Sequence, residues 1–405
     1  MRRLQREKNA NLIAGLSIML ISGILYMWSV FQPYVVEHFG WNPAGVGMTS
    51  NLMMAFFVIG NVLGGLVQEK YKPRNIVLIG GIGLAVGMLL TSFLTSAHPG
   101  MIYLTYSVVS GTGCGAAYCT VLYSLQKWYA ARTGTVTGLI VCFFGLSVVI
   151  LAPLARTMLA ELGVPTTFRI LSVVFLVVIL AAGRYVSQPP TEYYMQEASK
   201  VLRNDEFKQF TPRQMVRTPL YWILIVYMLM SNATYMVLMP FITTIALGRG
   251  MTEEAALLAV MSTGVGNSLG RIIAPALSDR IGRTTTLIIG SVISIVSCLL
   301  LVSGTGWVYI VAIFLVSYAF GGGSGVNPVI STELFGAKYS GTNYGLVMIA
   351  LAVCSVLFGK ISAVLGAAGG NLTAVMYLCA AVSVGPIVLM LLLRRICFVK
   401  GGKRI

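Results

Sequence analysis

Charged residues are scarce in this sequence, and acidic residues are the scarcest of them. Only 10% of the 405 residues are charged, against about 25% in soluble globular proteins, while 57% are hydrophobic and the mean hydropathy is +0.84. The twelve Asp and Glu residues all fall in the loops, termini or helix ends predicted below, and the two histidines fall in loops. This composition excludes a soluble globular domain and argues against a buried carboxylate or imidazole relay for protons.

The sequence also lacks the patterns of several functional classes. It has no Walker-type phosphate loop, because the glycine-rich run at 111–115 lies inside an apolar stretch and predicts close helix packing instead. The seven cysteines lie in or beside apolar stretches without metal-ligand spacing, so we expect no metal, no cofactor and no disulfide. No nucleophile–base pair stands out. We therefore expect neither an enzyme nor an ATP-driven pump.

Long apolar stretches recur along the whole chain. Each is about 20 residues long or longer, which is the length of helix that crosses a ~30 Å hydrocarbon core. They predict an all-α polytopic membrane protein with twelve transmembrane helices, at 10–36, 45–68, 76–96, 101–126, 134–158, 166–186, 219–246, 255–277, 286–304, 307–331, 343–365 and 372–393. The polar segment 187–218 predicts a cytoplasmic linker between an N-terminal six-helix bundle, 1–186, and a C-terminal six-helix bundle, 219–405.

The net charge of +16 follows the predicted topology. Most of the 28 Lys and Arg residues lie at the termini and in alternate loops, which is the positive-inside pattern and not a nucleic-acid surface. Arg249, in a predicted outer loop, is the clear exception. We expect both termini in the cytoplasm, a lipid bilayer as surroundings, no nucleic-acid partner and a monomer. The short loops favour a bacterial inner membrane.

Two matching segments indicate an internal repeat. Residues 65–74 close the second predicted helix and residues 275–283 close the eighth, and each contains an acid–base pair followed by a basic turn. Residues 278–283 resemble the loop signature of the major facilitator superfamily, which implies two six-helix bundles; the first copy departs from it at Glu69 and Lys72. The resemblance implies a conformational loop motif of Glu69, Lys70, Asp279, Arg280 and Arg283.

Other segments narrow this resemblance. Residues 21–29, in the first predicted helix, and residues 331–345, entering the eleventh, are similar to the oxalate:formate antiporter family, a sister of the monocarboxylate porters. The resemblance implies a carrier of small organic anions.

Arg271 is the permanent cation nearest the middle of a predicted helix. It lies eight residues before Asp279, or ~12 Å along a helix, with no acidic residue between them. An arginine keeps its proton, so at this depth it needs a partner. Either a substrate carboxylate or helix carbonyl groups could supply one. Lys360, by contrast, is predicted near the outer end of its helix.

The resemblance assigns roles at this position. In the oxalate:formate family an arginine of helix eight binds the substrate carboxylate, which implies that role for Arg271. The family's second cation, in helix eleven, corresponds here to Leu351, so a monocarboxylate is favoured over oxalate. Asn267 stands where monocarboxylate porters commonly have an Asp implicated in proton coupling. The candidate substrate-binding residues are Arg271, Asn267, Tyr118, Tyr26, Leu25, Phe320, Ser324 and Leu351.

The sequence thus predicts a secondary active transporter of small organic anions that works by alternating access. Monocarboxylates of the lactate, pyruvate or formate type are the favoured substrates, with proton symport or anion exchange left open. The alternatives are an oxalate/formate-type dicarboxylate exchanger, an efflux carrier for apolar compounds, and a transporter-like sensor.

Overall fold

The computed structural model describes residues 2–68, 70–199, 209–239, 242–336, 338–367 and 372–401, and within them the chain is helical without a β-strand. Helix α1 has three parts, and α4 begins with a π-helical segment. The elements of the first half are α1 (Arg2–Ser22, a 3-10 segment Gly23–Met27, and Trp28–Phe39), α2 (Pro43–Val67), α3 (Pro73–Thr91), α4 (Tyr103–Ser110 and Gly111–Trp128), and α5 with α6 (together Thr133–Gly183).

The second half repeats this pattern after two short helices, Thr191–Ser199 and Pro212–Val216. Its elements are α7 (Pro219–Leu238 and Ile242–Gly248), α8 (Glu253–Ile281), α9 (Arg283–Ser303), α10 (Gly306–Phe335), α11 (Ser340–Val347 and Ile349–Ala367) and α12 (Leu372–Val382 and Val384–Gly401).

Gly163 divides the longest helical segment into two membrane crossings. Eleven segments of the described chain are long and apolar enough to cross a membrane, and one of them, Ala130–Gly183, is 54 residues long. A straight helix of that length would span ~80 Å, far more than a ~30 Å hydrocarbon core. Gly163 has φ 74° and ψ 173°, which glycine adopts without steric cost, and it ends α5 and starts α6. The twelve predicted crossings are therefore present.

The N-terminal boundary differs from the prediction. Helix α1 starts at Arg2 and not near residue 10, so the basic residues expected in a tail are helical. Lysine and arginine are good helix formers, and contacts hold this extension in place. The Lys8 Nζ donates a hydrogen bond to the Tyr193 hydroxyl at 2.9 Å and lies 4.1 Å from the centroid of the Tyr129 ring. The first part of the linker therefore packs against the end of α1.

Arg249, the exception to the charge pattern, has a structural role. Its Nη1 donates to the Gly304 carbonyl at 2.6 Å, and its Nη2 donates to the Leu301 carbonyl at 2.5 Å. These carbonyl groups end α9, where helix carbonyls lack intrahelical donors and a cation is favourable. Arg249 therefore caps a helix.

The two halves approach each other closely where α2 meets α11 and α5 meets α8. A Cβ atom on Gly65 of α2 would lie 2.7 Å from the carbonyl carbon of Gly341 in α11, so these backbones touch. A Cβ atom on Gly138 of α5 would similarly lie 2.7 Å from the carbonyl oxygen of Arg271 in α8. We call the end of the molecule that carries the α2–α3 and α8–α9 loops the basic end. The halves are in backbone contact from the level of Arg271 to this end.

Candidate substrate-binding site

Glycines place Arg271 at the interface between the halves. A Cβ atom on Gly266 would lie 2.4 Å from the Phe314 carbonyl oxygen, and one on Gly270 would lie 2.2 Å from the Tyr318 carbonyl oxygen. Residues four apart lie on one helix face, so this glycine face allows α8 to pack directly on α10. The adjacent face carries Arg271 towards the first half of the chain. Its side chain is 1% exposed.

Arg271 makes hydrogen bonds to three different helices. Its Nε donates to the Asn267 Oδ1 in α8 at 2.8 Å. Its Nη1 donates to the Val141 carbonyl in α5 at 2.8 Å, and its Nη2 donates to the Tyr26 hydroxyl in α1 at 2.9 Å. The α8 segment is unbroken at this point, so the carbonyl that Arg271 meets belongs to a neighbouring helix. The guanidinium thereby joins the two halves of the chain.

No carboxylate pairs with Arg271 in the described parts of the chain, where the ion pairs include Arg3–Glu7, Arg283–Asp279 and Arg283–Glu333. A guanidinium has five N–H donors, and the three acceptors above use three of them. In this count one N–H remains on Nη1 and one on Nη2. Both of them can donate to a carboxylate.

Aromatic rings surround the guanidinium. Its Cζ lies 5.4 Å from the centroid of the Tyr26 ring and 5.6 Å from that of the Phe144 ring. Phe144 also packs edge-on against Tyr118, with centroids 5.0 Å apart, and Phe57 packs against both rings. Such rings attract a cation through their π faces and keep water away from it. The site can therefore hold a positive charge in apolar surroundings.

The structure brings together Arg271, Asn267 and Tyr26, and it places Tyr118 in the same aromatic cluster, within electrostatic range of Arg271. The other predicted binding residues make no hydrogen bond or cation–π contact with the guanidinium in the described structure. Phe320 stacks on Tyr235 at 3.8 Å, and the Ser324 hydroxyl donates to the Phe320 carbonyl of its own helix. The remaining two, Leu25 and Leu351, are buried.

Sequence reasoning missed four residues around Arg271. Val141 supplies a carbonyl oxygen and Phe144 a ring, Tyr235 lies within electrostatic range of Arg271, and Ser268 lies beside its side chain. No signal in the sequence marks Val141 or Phe144, since every residue has a carbonyl and phenylalanines are common here. Ser268 could have been noticed as the neighbour of Asn267 in an otherwise apolar and glycine-rich run.

The second copy of the loop motif links three helices at the basic end. Arg283 at the start of α9 forms ion pairs with Asp279 of α8 and, at 2.9 Å, with Glu333 of α10. Arg280 and Lys70 are exposed, and Glu69 lies outside the described residues. Asp279 also faces α5, because a Cβ atom on Gly134 would lie 2.8 Å from its Oδ1. The motif therefore lies where the halves meet.

Comparisons with known proteins agree with this architecture. The Major Facilitator Superfamily model matches residues 12–359 and 231–396. The uncharacterized MFS-type transporter YhjX of Escherichia coli is 25% identical over 361 residues, which cover 87% of each chain. The oxalate:formate antiporter of Oxalobacter formigenes is 24% identical over 357 residues, covering 87% of this chain and 83% of the relative. Monocarboxylate transporter 13 of Rattus norvegicus is 31% identical over 140 residues, 35% of this chain and 32% of the relative.

A solved structure has the same fold. The structure of the proton:xylose symporter XylE bound to 6-bromo-6-deoxy-D-glucose superimposes with a TM-score of 0.75 over 96% of each chain, at 13% identity. At this low sequence identity, the structural similarity is evidence for the fold alone. From the family match over most of its length and its apolar helices, the chain is an integral membrane transporter that belongs to the Major Facilitator Superfamily.

Proposed function

We propose that this transporter carries small monocarboxylate anions and that Arg271 pairs with the substrate carboxylate. The observation that carries the proposal is the buried guanidinium, which has only neutral acceptors in the described structure and keeps one N–H on each Nη. A carboxylate would satisfy both N–H groups and neutralise the charge. Two relatives, the oxalate:formate antiporter and monocarboxylate transporter 13, are named for small carboxylate substrates, which supports this class of substrate.

The count of cations favours one carboxylate over two. Leu351 stands where the oxalate:formate family has its second cation, and Lys360 is exposed. A dianion held by Arg271 alone would keep one negative charge in apolar surroundings, which is costly unless it is paired. Lactate, pyruvate and formate therefore fit the site better than oxalate.

Alternating access follows from the position of Arg271 between the halves. Closing the halves removes the guanidinium from water, and the Asn267, Val141 and Tyr26 acceptors offset part of that cost. A bound carboxylate offsets more of it, because it neutralises the charge as well. The loaded transporter should therefore close more readily than the unloaded one. Faster closure of the loaded transporter favours the exchange of one anion for another. The three neutral acceptors still allow the empty transporter to close and return, but more slowly.

Proton coupling would have to involve the substrate itself. Asn267 cannot titrate near neutral pH, and the hydrogen-bond partners of Arg271 in the described structure are an amide, a carbonyl and a phenol. A proton carried with the anion would then travel on the substrate's own carboxyl group. We also propose that the basic end faces the cytoplasm of a bacterial inner membrane and that the protein acts as a monomer.

The test is uptake of radiolabelled lactate, pyruvate, formate and oxalate into proteoliposomes. The proteins are the wild type, Arg271→Ala and Arg249→Ala. Arg249→Ala is the matched control, because it also removes an arginine that donates to a backbone carbonyl. Two lost charge-assisted hydrogen bonds should lower kcat/KM at least ~100-fold in Arg271→Ala. Arg249→Ala should keep wild-type kcat/KM per folded protein. Runs with internal anion or an imposed pH gradient separate exchange from symport.

Other results would overturn the proposal. Monocarboxylate uptake by Arg271→Ala at the wild-type rate would make Arg271 a structural residue. Uptake of oxalate alone would favour a dicarboxylate exchanger, and transport of apolar compounds alone would favour an efflux carrier.

A further inference from the structure

Ser268 carries a buried hydroxyl group that the described residues leave unpaired. The residue is in α8, three positions before Arg271, and is 4% exposed. Its Oγ is buried and has no hydrogen-bond partner in the described structure. A buried hydroxyl without a partner is unfavourable, so its presence calls for an explanation.

Local geometry does not force this state. Hydroxyls elsewhere in α8 donate to a carbonyl of the preceding turn: Ser262 to Ala259 at 2.7 Å, and Thr263 to Val260 at 2.6 Å. Serine in a helix ordinarily has such an acceptor within reach. The Ser268 hydroxyl makes no bond of this kind and is available to a group from outside the chain.

The hydroxyl lies beside Arg271 and faces α5. A Cβ atom on Gly145 would lie 3.1 Å from the Ser268 Oγ, and 3.7 Å and 3.8 Å from the Cδ and Nε of Arg271. The Ser268 hydroxyl and the Cδ–Nε part of the Arg271 side chain therefore lie next to the same residue of α5, where the two halves are in contact. Gly145 has no side chain at this point, so the Ser268 hydroxyl and the Arg271 side chain both lie directly against α5. A substrate that enters between α5 and α8 when the halves separate would meet both groups.

We propose that Ser268 is a substrate-binding residue that recognises an oxygen on the carbon next to the carboxylate, as in 2-oxo and 2-hydroxy monocarboxylates. This inference rests on the proposed function, because it needs Arg271 to hold the carboxylate. A serine hydroxyl can donate to a 2-oxo group and can accept from a 2-hydroxy group. Next to Phe144, a substrate oxygen without such a partner would be disfavoured.

The test compares Ser268→Ala with the wild type for two pairs of substrates. Pyruvate and lactate carry the second oxygen, whereas acetate and propionate do not. We expect KM for pyruvate and lactate to rise about tenfold, and KM for acetate and propionate to stay within about twofold. Removing an unused hydroxyl costs the protein no internal hydrogen bond, so the Tm should not fall. Ser262→Ala, which removes a helix-bonded hydroxyl from α8, should leave substrate preference unchanged.

Three outcomes for Ser268→Ala would overturn the role of Ser268. They are an equal change in KM for all four acids, no change in KM for any of them, or a selective rise in KM for pyruvate and lactate that is accompanied by a lower Tm. In each of these cases monocarboxylate uptake that still depends on Arg271 would leave the proposed function intact. A wild type that transports neither formate nor any of the four acids would overturn both proposals.

Discussion

Replacing Asn267 with aspartate would place a carboxylate on the candidate anion-binding cation. The Asn267 Oδ1 already accepts from the Arg271 Nε at 2.8 Å, and the aspartate side chain has nearly the same shape. The variant therefore adds a negative charge at a defined position and little else. Asn267→Ala is the matched control, since it removes the acceptor without adding charge.

The added charge should compete with the substrate. Opposite unit charges about 4 Å apart attract by roughly 4 kcal/mol at an effective dielectric constant of about 20. A substrate carboxylate would have to overcome as much as that, which corresponds to a rise in KM of up to about 1,000-fold near neutral pH. The control loses one neutral acceptor, so its KM should change by less than about tenfold.

The sign of the pH dependence follows from linkage. Substrate can pair with Arg271 in the Asn267→Asp variant only when the new carboxylate takes up a proton, so anion and proton must bind together. The KM for lactate should then fall by up to about tenfold for each unit by which the pH is lowered from about 7.5 to about 5.5. The assay is initial uptake into proteoliposomes at a series of pH values. A KM that matches the control, or that does not change with pH, would refute the role of Arg271 in binding the anion.

Three further predictions concern the closure of the halves and the stability of the fold. Gly65→Val should lower uptake at least about tenfold at unchanged protein yield, because its Cβ would lie 2.7 Å from the Gly341 backbone and separate α2 from α11. Tyr26→Phe removes the acceptor of the Arg271 Nη2, so net uptake should slow severalfold while exchange with internal lactate continues; equal slowing of both modes would contradict this. Arg249→Ala removes the cap of α9 and should lower the free energy of unfolding by about 1–2 kcal/mol, measured as a lower Tm; an unchanged Tm would show that the cap contributes little.

The crossings were predictable because apolar length is a local property of the sequence. Eleven apolar segments and the break at Gly163 account for the twelve predicted spans, and the family match agrees with the fold inferred from the loop motif. Helix α1 begins at Arg2, before the predicted span, because the position of polar residues relative to the bilayer does not decide whether they are helical. Here the contact of Lys8 with Tyr193 and Tyr129 accompanies the longer helix. The division at 187–218 stays a prediction.

The candidate site was only partly predictable. Arg271 was visible because a permanent charge among apolar residues is conspicuous. Asn267 followed from the resemblance to the monocarboxylate porters, which commonly have an Asp one helical turn before the arginine. Ser324, although aligned with a family pocket position, has its hydroxyl bonded within its own helix. The unsatisfied hydroxyl of Ser268 could not be foreseen, because nearby Ser262 has the same chemistry and bonds to its own helix.

The sequence by itself determined that this protein lives in a bilayer, how its helices are spaced along the chain, and that one arginine near a helix centre needs a partner. These properties depend on hydropathy and charge read along the chain. Only the tertiary structure decided which groups partner Arg271, because the Val141 carbonyl and the Tyr26 hydroxyl come from helices that are distant in sequence. Backbone carbonyls carry no sequence signal. A glycine such as Gly138 can be assigned to the contact between α5 and α8 only when the positions of both helices are known.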